Sequence, residues 1–190
     1  MFVTETATTT EREARIERIV AAAIPVFAAK GFKGTSMADI AAAAGVSRPA
    51  LYQYFENRAD VFRAGFGRLL ETGTDRALAE LRDADDVAAA LDGFVQRMLG
   101  DAYEQLFATP HGDELMEAKY EFAADVAATS TTRALDGLRA FLAEHSTDDP
   151  TSVMELLTMS PMGLKQDKPG PAVYRRRLSS LAQAATALLN

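Results

Sequence analysis

The chain has 190 residues, of which 48% are hydrophobic and 25% charged, and its formal net charge is −7. These proportions are typical of a folded globular protein, and the acidic balance argues against a protein that coats nucleic acid by charge alone. The chain contains no Cys, which excludes disulfides, thiolate metal sites and Cys nucleophiles.

The first ten residues are polar and lack a basic, then apolar, signal pattern, so residues 1–10 are predicted to be a short flexible tail. An apolar stripe then runs from Glu11 to Lys30, with apolar residues recurring at steps of three and four, which predicts an amphipathic helix. Gly31 is expected to end this helix in a left-handed conformation. Pro25 is expected to kink it near its midpoint, because proline removes a backbone donor.

Three shorter helices are predicted before residue 70. The second helix covers residues 37–44, is capped by Thr35 or Ser36, and ends at Gly45. Ser47 caps a short third helix with Pro49 in its first turn, and Asn57 caps a fourth. Two short helices joined by a glycine turn form a helix-turn-helix, whose second helix fits the DNA major groove.

Longer helical patterns follow over residues 85–108, 113–144, 151–159 and 172–189, with breaks at 109–112, 146–150 and 160–171. The predicted fold class is therefore all-α, with about nine helices. Residues 1–70 hold nine basic and seven acidic side chains, whereas residues 71–190 hold 11 basic and 20 acidic ones. We therefore predict a helix-turn-helix DNA-binding domain over residues 11–70 and an acidic helical domain over residues 71–190.

An ordered string of short motifs lies inside the first domain. It consists of Ala-Ala-Lys-Gly-Phe at 28–32, Thr-Ser at 35–36, Asp-Ile-Ala at 39–41, Ala-Gly-Val-Ser at 44–47, Leu-Tyr-Gln-Tyr-Phe at 51–55 and Asn-Arg at 57–58. In order and spacing this string resembles the tetracycline-repressor-like (TetR) family of transcription regulators. The resemblance covers residues 11–70, about a third of the chain.

The resemblance implies that Arg48, Ala50 and Tyr52 meet base edges. An arginine can bridge guanine O6 and N7, whereas Pro49 and Ala50 offer only apolar contact. Contacts to backbone phosphates are implied at Thr35, Ser36, Ser47, Gln53, Tyr54 and Arg58. For Tyr52 and Tyr54, covering the domain's own core is the alternative.

The resemblance also implies that the second domain binds a small-molecule effector and dimerises. Aromatic and apolar residues suited to a pocket are Phe94, Met98, Tyr103, Phe107, Met116, Tyr120 and Phe122. Carboxylates interleaved with them would favour a cationic ligand. Ordinary core packing is the alternative for each of these residues.

The last two helices, over residues 153–159 and 172–189, are expected to form the homodimer surface. The apolar stripe assigned to this surface is Val173, Leu178, Leu181, Ala184, Ala185 and Leu188. A two-fold pair of recognition helices would read a palindromic operator in double-stranded DNA.

Enzyme, metal and membrane functions have little support. The two histidines, His111 and His145, lack the spacing of a metal site, and no nucleotide-binding or nucleophile motif occurs. No apolar run reaches the length of about 18 residues that a membrane span needs. We therefore expect a cytoplasmic, ligand-responsive regulator, most simply a repressor, without cofactor or metal. The alternative is a constitutive or architectural DNA-binding regulator whose acidic body binds a protein partner.

Overall fold

A computed structural model describes the backbone of residues 3–145 and 150–189, and the side chains of residues 11–145 and 150–189. Within these ranges the chain forms nine α-helices and two π-helical turns and no strand, which confirms the all-α prediction. The helices are α1 (Val3–Gly34), α2 (Met37–Ala43), α3 (Arg48–Tyr52), α4 (Arg58–Asp83), α5 (Val87–Val95), α6 (Gly112–Phe122), α7 (Ala124–His145), α8 (Thr151–Leu164) and α9 (Pro171–Ala187). The π-helical turns, Gln96–Gly100 and Tyr103–Phe107, follow α5. Most of the predicted break at 146–150 lies outside the described residues.

Helix α1 differs from its prediction at its start and in its interior. It begins at Val3, so helical backbone extends into the predicted tail over residues 1–10. Residues 1–2 lie outside the described range. The non-helical backbone lies at Gly31, with φ 73° and ψ 170°, and not at Pro25, where a kink was expected. Pro25 and Ala21 are both exposed, so water can satisfy the carbonyl that proline leaves without a donor.

The chain packs as two compact units. The amino-terminal unit consists of Met1–Arg68 and Thr109–Ala124, and the carboxy-terminal unit of Leu69–Ala108 and Asp125–Asn190. The division near residue 70 lies close to the predicted domain boundary, but residues 109–124 belong with the first unit and not with the second as expected. Packing explains the difference, because Leu115 of α6 is fully buried and Phe122 stacks on Phe32 of α1 at 4.9 Å between ring centroids.

The predicted helix over residues 113–144 is in fact two helices. Helix α6 ends at Phe122 and α7 begins at Ala124, with a non-helical backbone at Ala123 (φ −137°). No glycine or proline marks this break. The chain passes from one compact unit to the other here, so the break follows from tertiary packing and has no local signal.

Aromatic rings form much of the core of the amino-terminal unit. Phe27 and Phe62 are fully buried and meet edge to face at 5.2 Å, and Phe62 also stacks on Phe66 at 5.8 Å. Burial of each ring contributes about 1.5–3 kcal/mol. Ile40 of α2 and Leu51 of α3 are also fully buried, so both short helices are fixed by their apolar faces.

The carboxy-terminal unit has its core where α5, α7, α8 and α9 meet. The stripe on α9 that was expected to form the dimer surface lies largely in this core: Leu178 is fully buried, Leu181 is 7% exposed and Ala185 is fully buried. The periodicity of a helix marks one apolar face without saying whether the same chain or a second copy covers it. Ala184 and Leu188 are the members of the stripe that remain exposed.

Candidate nucleic-acid interface

The turn between α2 and α3 has the geometry of a helix-turn-helix. Ser36 and Asp39 form a capping box at the start of α2, with the Asp39 amide donating to Ser36 Oγ at 3.2 Å. Gly45 lies in the turn with a φ of 65°, a conformation that favours glycine. The Ser47 hydroxyl accepts from the Ala50 amide at 3.2 Å, which caps α3 as predicted.

Electrostatics strengthen the start of α2. Lys30 Nζ lies 2.5 Å from Asp39 Oδ1. This hydrogen bond, followed by those from Ser36, holds the pKa of the Asp39 carboxyl well below its usual range. The carboxylate is therefore ionised at neutral pH, as an acceptor at a helix amino terminus should be.

Helix α3 and the residue that directly follows it present an outward face of four side chains. Arg48, Pro49, Tyr52 and Gln53 are exposed, and Tyr52 retains 45% of its accessible surface. The Arg48 guanidinium lies 5.6 Å from the centroid of the Tyr52 ring. Tyr52 therefore does not cover the core, which was its alternative role. The base contacts expected of this face remain a prediction, and Ala50 is only half-exposed.

Several residues expected at phosphates have structural partners instead. The Thr35 side chain is 1% exposed and its hydroxyl donates to the Gly31 carbonyl at 2.6 Å. Arg58 donates to the Lys33 carbonyl at 2.9 Å and to the Thr35 carbonyl at 3.2 Å. These side chains thus brace the segment between α1 and α2, and the expected phosphate contact of Thr35 is not available to its buried hydroxyl.

Ser36 and Ser47 act mainly as caps. Ser36 Oγ donates to Asp39 Oδ2 at 2.6 Å, and Ser47 Oγ is the cap of α3. Their position at helix amino termini leaves backbone amides pointing outward, which suits an anion. A phosphate contact by these residues therefore remains a prediction that involves the backbone as much as the hydroxyl.

The predictions from sequence missed a basic face beside α3. Arg12, Arg15 and Arg18 of α1 line one groove together with Gln53 and Tyr54. Tyr54 is half-buried, and the Arg12 guanidinium lies 5.5 Å from its ring centroid. The signal in the sequence was the three-residue spacing of these arginines, which places them on one side of a helix.

The expected effector residues fall into the two units. In the carboxy-terminal unit, Phe94 and Tyr103 are core residues, with Met98 and Phe107 packed against them. The Tyr103 hydroxyl donates to the Pro169 carbonyl at 2.7 Å. Met98 borders a cavity of about 20 Å³, which holds no more than about one water molecule. These four residues therefore fill space in their unit and do not line a cavity of ligand size there.

The other three expected effector residues belong to the amino-terminal unit. Phe122 stacks on Phe32, Met116 is half-buried, and Tyr120 is 54% exposed with Lys119 Nζ 5.1 Å from its ring centroid. Burial lowers the pKa of Lys119. Ordinary packing, the alternative considered for these residues, describes Phe122 well.

A larger groove lies in the carboxy-terminal unit, where the last turns of α4 and α7 meet the start of α5. Its volume is about 830 Å³, within the range of small-molecule sites. Leu78, Leu81 and Phe141 supply apolar surface. Carboxylates from Asp85, Asp86 and Glu144 outnumber the one guanidinium, that of Arg82. None of the seven residues expected from the sequence lines it.

The part of the chain that the structure describes offers neither a metal site nor a membrane span. Among its side chains, no cluster of three or more His, Asp or Glu residues could hold a metal ion. None of its helices combines the length and apolarity needed to cross a bilayer.

Comparison with known proteins identifies the amino-terminal region. Residues 19–64 match the family model for bacterial regulatory proteins of the tetR family. The HTH-type transcriptional regulator CymR of Pseudomonas putida is 39% identical over 90 residues, which are 46% of this chain and 41% of that protein. The HTH-type transcriptional regulator TtgR of Pseudomonas putida is 33% identical over 122 residues, or 62% of this chain and 57% of that protein. These alignments span less than two thirds of either relative.

The fold agrees with this match. The crystal structure of a putative TetR-family transcriptional regulator from Mesorhizobium loti superposes with a TM-score of 0.61 at 21% identity, covering 93% of this chain and 96% of that one. The curated relatives are named as regulators and not as enzymes, in agreement with the sequence-based expectation. Residues 19–64 therefore match the DNA-binding domain of the tetR family of bacterial regulatory proteins, and the fold of the chain is that of a TetR-family regulator.

Proposed function

We propose that the chain is a homodimeric transcriptional repressor that binds a palindromic operator and releases it when a small-molecule effector binds. The outward face of α3 carries this proposal: Arg48 and Tyr52 of α3, and Gln53 directly after it, are exposed, while the opposite face of the helix is fixed by buried Leu51. Such a helix can enter the major groove without rearranging its own core. DNA as the partner implies a place in the cytoplasm.

Exposed apolar residues on the last two helices support the dimer. Met159 and Met162 of α8 are 76% and 64% exposed, and Leu188 near the end of α9 is 52% exposed. Met159 and Met162 lie three residues apart and so share one side of α8, and neighbouring exposed apolar side chains of this size are typical of interfaces. We therefore assign the homodimer to the outer faces of α8 and α9, and not to the stripe that fills the core.

The groove of about 830 Å³ in the carboxy-terminal unit is the best-supported effector site. Its apolar wall with Phe141, beside the carboxylates of Asp86 and Glu144, suits an apolar ligand with a cationic group. An effector can lower operator affinity only by binding more tightly to a conformation that fits DNA poorly. The change in operator-binding free energy that the effector causes is therefore set by the difference between its binding free energies for the two conformations.

Selection of random double-stranded DNA on the purified protein tests the operator. A two-fold palindrome is expected in the bound pool. The variant Arg48→Ala should lose discrimination of the base it contacts by about 1–3 kcal/mol. The control Arg139→Ala, at an exposed arginine of α7 in the other unit, should select the same sequence. A folded protein that enriches no sequence at low salt would overturn the proposal.

A thermal-shift screen of small molecules, followed by operator binding with each hit, tests the effector. A ligand at 100 times its Kd should stabilise the protein by about 2.7 kcal/mol. Glu144→Gln should weaken a cationic hit. If the hits stabilise the protein but leave operator affinity unchanged, effector-driven release is refuted.

A further inference from the structure

We propose that Arg12, Arg15 and Arg18 of α1 bind backbone phosphates of the operator beside the bases that α3 reads. The inference rests on the proposed DNA-binding function and extends its surface from α3 to the face of a second helix. It names residues outside the 19–64 region that matches the family model.

The three side chains form one continuous surface with the end of α3. They line a groove of about 750 Å³ whose other wall holds Gln53 and Tyr54. All three arginines are exposed. Arg12 to Arg18 spans about 9 Å along a helix, and successive phosphates of one strand advance by about 3.4 Å along the duplex. The face is thus long enough to meet two or three phosphates.

The acidic residues Glu13 and Glu17 of α1 do not line the groove that holds the arginines. Glu17 is held by Arg68, whose Nε donates to Glu17 Oε2 at 2.9 Å. Glu13 lies two residues before Arg15, a spacing that points it to a different side of the helix. Glu11 is the acidic residue that shares the groove with the arginines. The groove therefore carries a net positive charge on a chain whose overall charge is −7.

The guanidinium groups are available to an anion. Within the described residues no ion pair involves Arg12, Arg15 or Arg18, and the Arg12 guanidinium rests over the Tyr54 ring at 5.5 Å. An aromatic face positions a guanidinium while leaving its N–H donors free at the edge. Those donors match the paired oxygens of a phosphate.

Duplex DNA is the partner that fits this surface. Its open groove continues from the face of α3 that carries Gln53, and both elements lie in the same unit. A contact to a phosphate needs no side chain that distinguishes one base from another. Apart from its arginines, α1 presents no base-reading side chain in this groove. The arginines should therefore add affinity without adding sequence preference.

Salt dependence of operator binding tests the inference. Each phosphate contact contributes about 0.9 to the slope of log K against log salt, and a dimer would lose two contacts for each arginine replaced. Because this slope is negative, Arg15→Gln should make it less steep by about 1.8 and the triple variant by about 5. Glutamine keeps good helix propensity, and a circular dichroism melt checks that α1 stays folded.

Two control variants match the charge changes. Arg139→Gln removes the same charge from an exposed site on α7 in the carboxy-terminal unit, and it should leave the slope unchanged. Glu11→Gln removes the acid from the groove and should tighten binding. The selected palindrome should be the same for every variant, since phosphate contacts carry no base information.

The outcomes separate this inference from the function on which it rests. If the wild type selects a palindrome and the triple variant keeps both its affinity and its slope, the inference about α1 is overturned while the regulator stands. If the triple variant selects a different sequence, the arginines read bases, which also overturns it. If the wild type selects no sequence, the proposed function itself fails.

Discussion

Replacing Gly31 with Ala tests how α1 is joined to the helix-turn-helix. Gly31 has φ 73° and ψ 170°, a backbone region that is nearly restricted to glycine and costs other residues about 1–3 kcal/mol. An added Cβ would also lie 2.5 Å from Glu114 Oε2 and 2.9 Å from His111 Nδ1. Both effects should destabilise the amino-terminal unit.

The contact with Glu114 has its own cost. The Glu114 carboxylate accepts a hydrogen bond from the Lys33 amide, just after Gly31. Because the carboxylate is the end of a flexible side chain, it can swing away from a new Cβ, and the loss is then the hydrogen bond, worth about 1 kcal/mol at an exposed position. The total expected for Gly31→Ala is therefore about 2–4 kcal/mol.

Two other glycines separate backbone strain from contact. Gly45 has a φ of 65° with nothing within 4 Å of an added Cβ, so Gly45→Ala should cost only the strain, about 1–2 kcal/mol. Gly34 has ordinary φ and its nearest neighbour is 3.7 Å away, so Gly34→Ala should change stability by less than about 1 kcal/mol.

Urea unfolding followed by far-ultraviolet circular dichroism measures these differences, at one protein concentration because a dimer's stability depends on it. The chain contains no Trp, which makes the helical signal the better probe. In the Glu114→Ala background the cost of Gly31→Ala should fall by about 1 kcal/mol. If Gly31→Ala costs no more than Gly45→Ala, and Glu114→Ala changes nothing, the described coupling between α1 and α6 is refuted.

Three further variants probe titration and buried polar contacts. Burial raises the pKa of Tyr174 from 10.0 to about 12. The phenol therefore ionises first in the unfolded chain, and the free energy of unfolding falls as the pH rises from about 10 to about 12. Tyr174→Phe should remove up to about 2 kcal/mol of that loss, measured by urea unfolding at each pH. The hydrogen bond from Lys30 is the main cause that lowers the pKa of Asp39 from 3.8. The wild type should therefore be more stable than Asp39→Asn at pH 7, and this difference in stability should shrink as the pH falls below 3.8. Thermal melts across that pH range measure the difference. Ser130→Ala leaves the fully buried Thr74 hydroxyl without its 2.7 Å partner and should cost about 1–3 kcal/mol in urea unfolding, whereas an unchanged midpoint would show that the pair is not formed.

Much of the DNA-binding unit could be read from local sequence. Gly45 and Ser47 fix a turn and a helix start through contacts between near neighbours, and both lie where they were predicted. Of the two caps predicted for α2, Thr35 or Ser36, the structure has Ser36. Gly31 was likewise predicted to leave helical geometry, and it does. Short-range signals of this kind need only hydrogen bonds and backbone freedom within a few residues.

The roles of individual side chains were less predictable. Thr35 and Arg58 carry the types of group that meet phosphates, yet the structure turns one into the core and uses the other to hold two carbonyls. A hydroxyl or guanidinium is chemically suited to either role. Which partner it takes depends on atoms that are distant in sequence.

The sequence by itself determined the helical class, the helix-turn-helix and the approximate boundary near residue 70, because periodicity and capping are local. Only the tertiary structure decided that α6 packs in the amino-terminal unit, that Leu178 and Leu181 of α9 are core residues, and that the arginines of α1 line a groove with α3. An apolar or basic stripe in the sequence indicates which side of a helix carries apolar or basic residues. The surface that it meets is chosen by packing between distant segments, where free energy depends on the whole set of contacts.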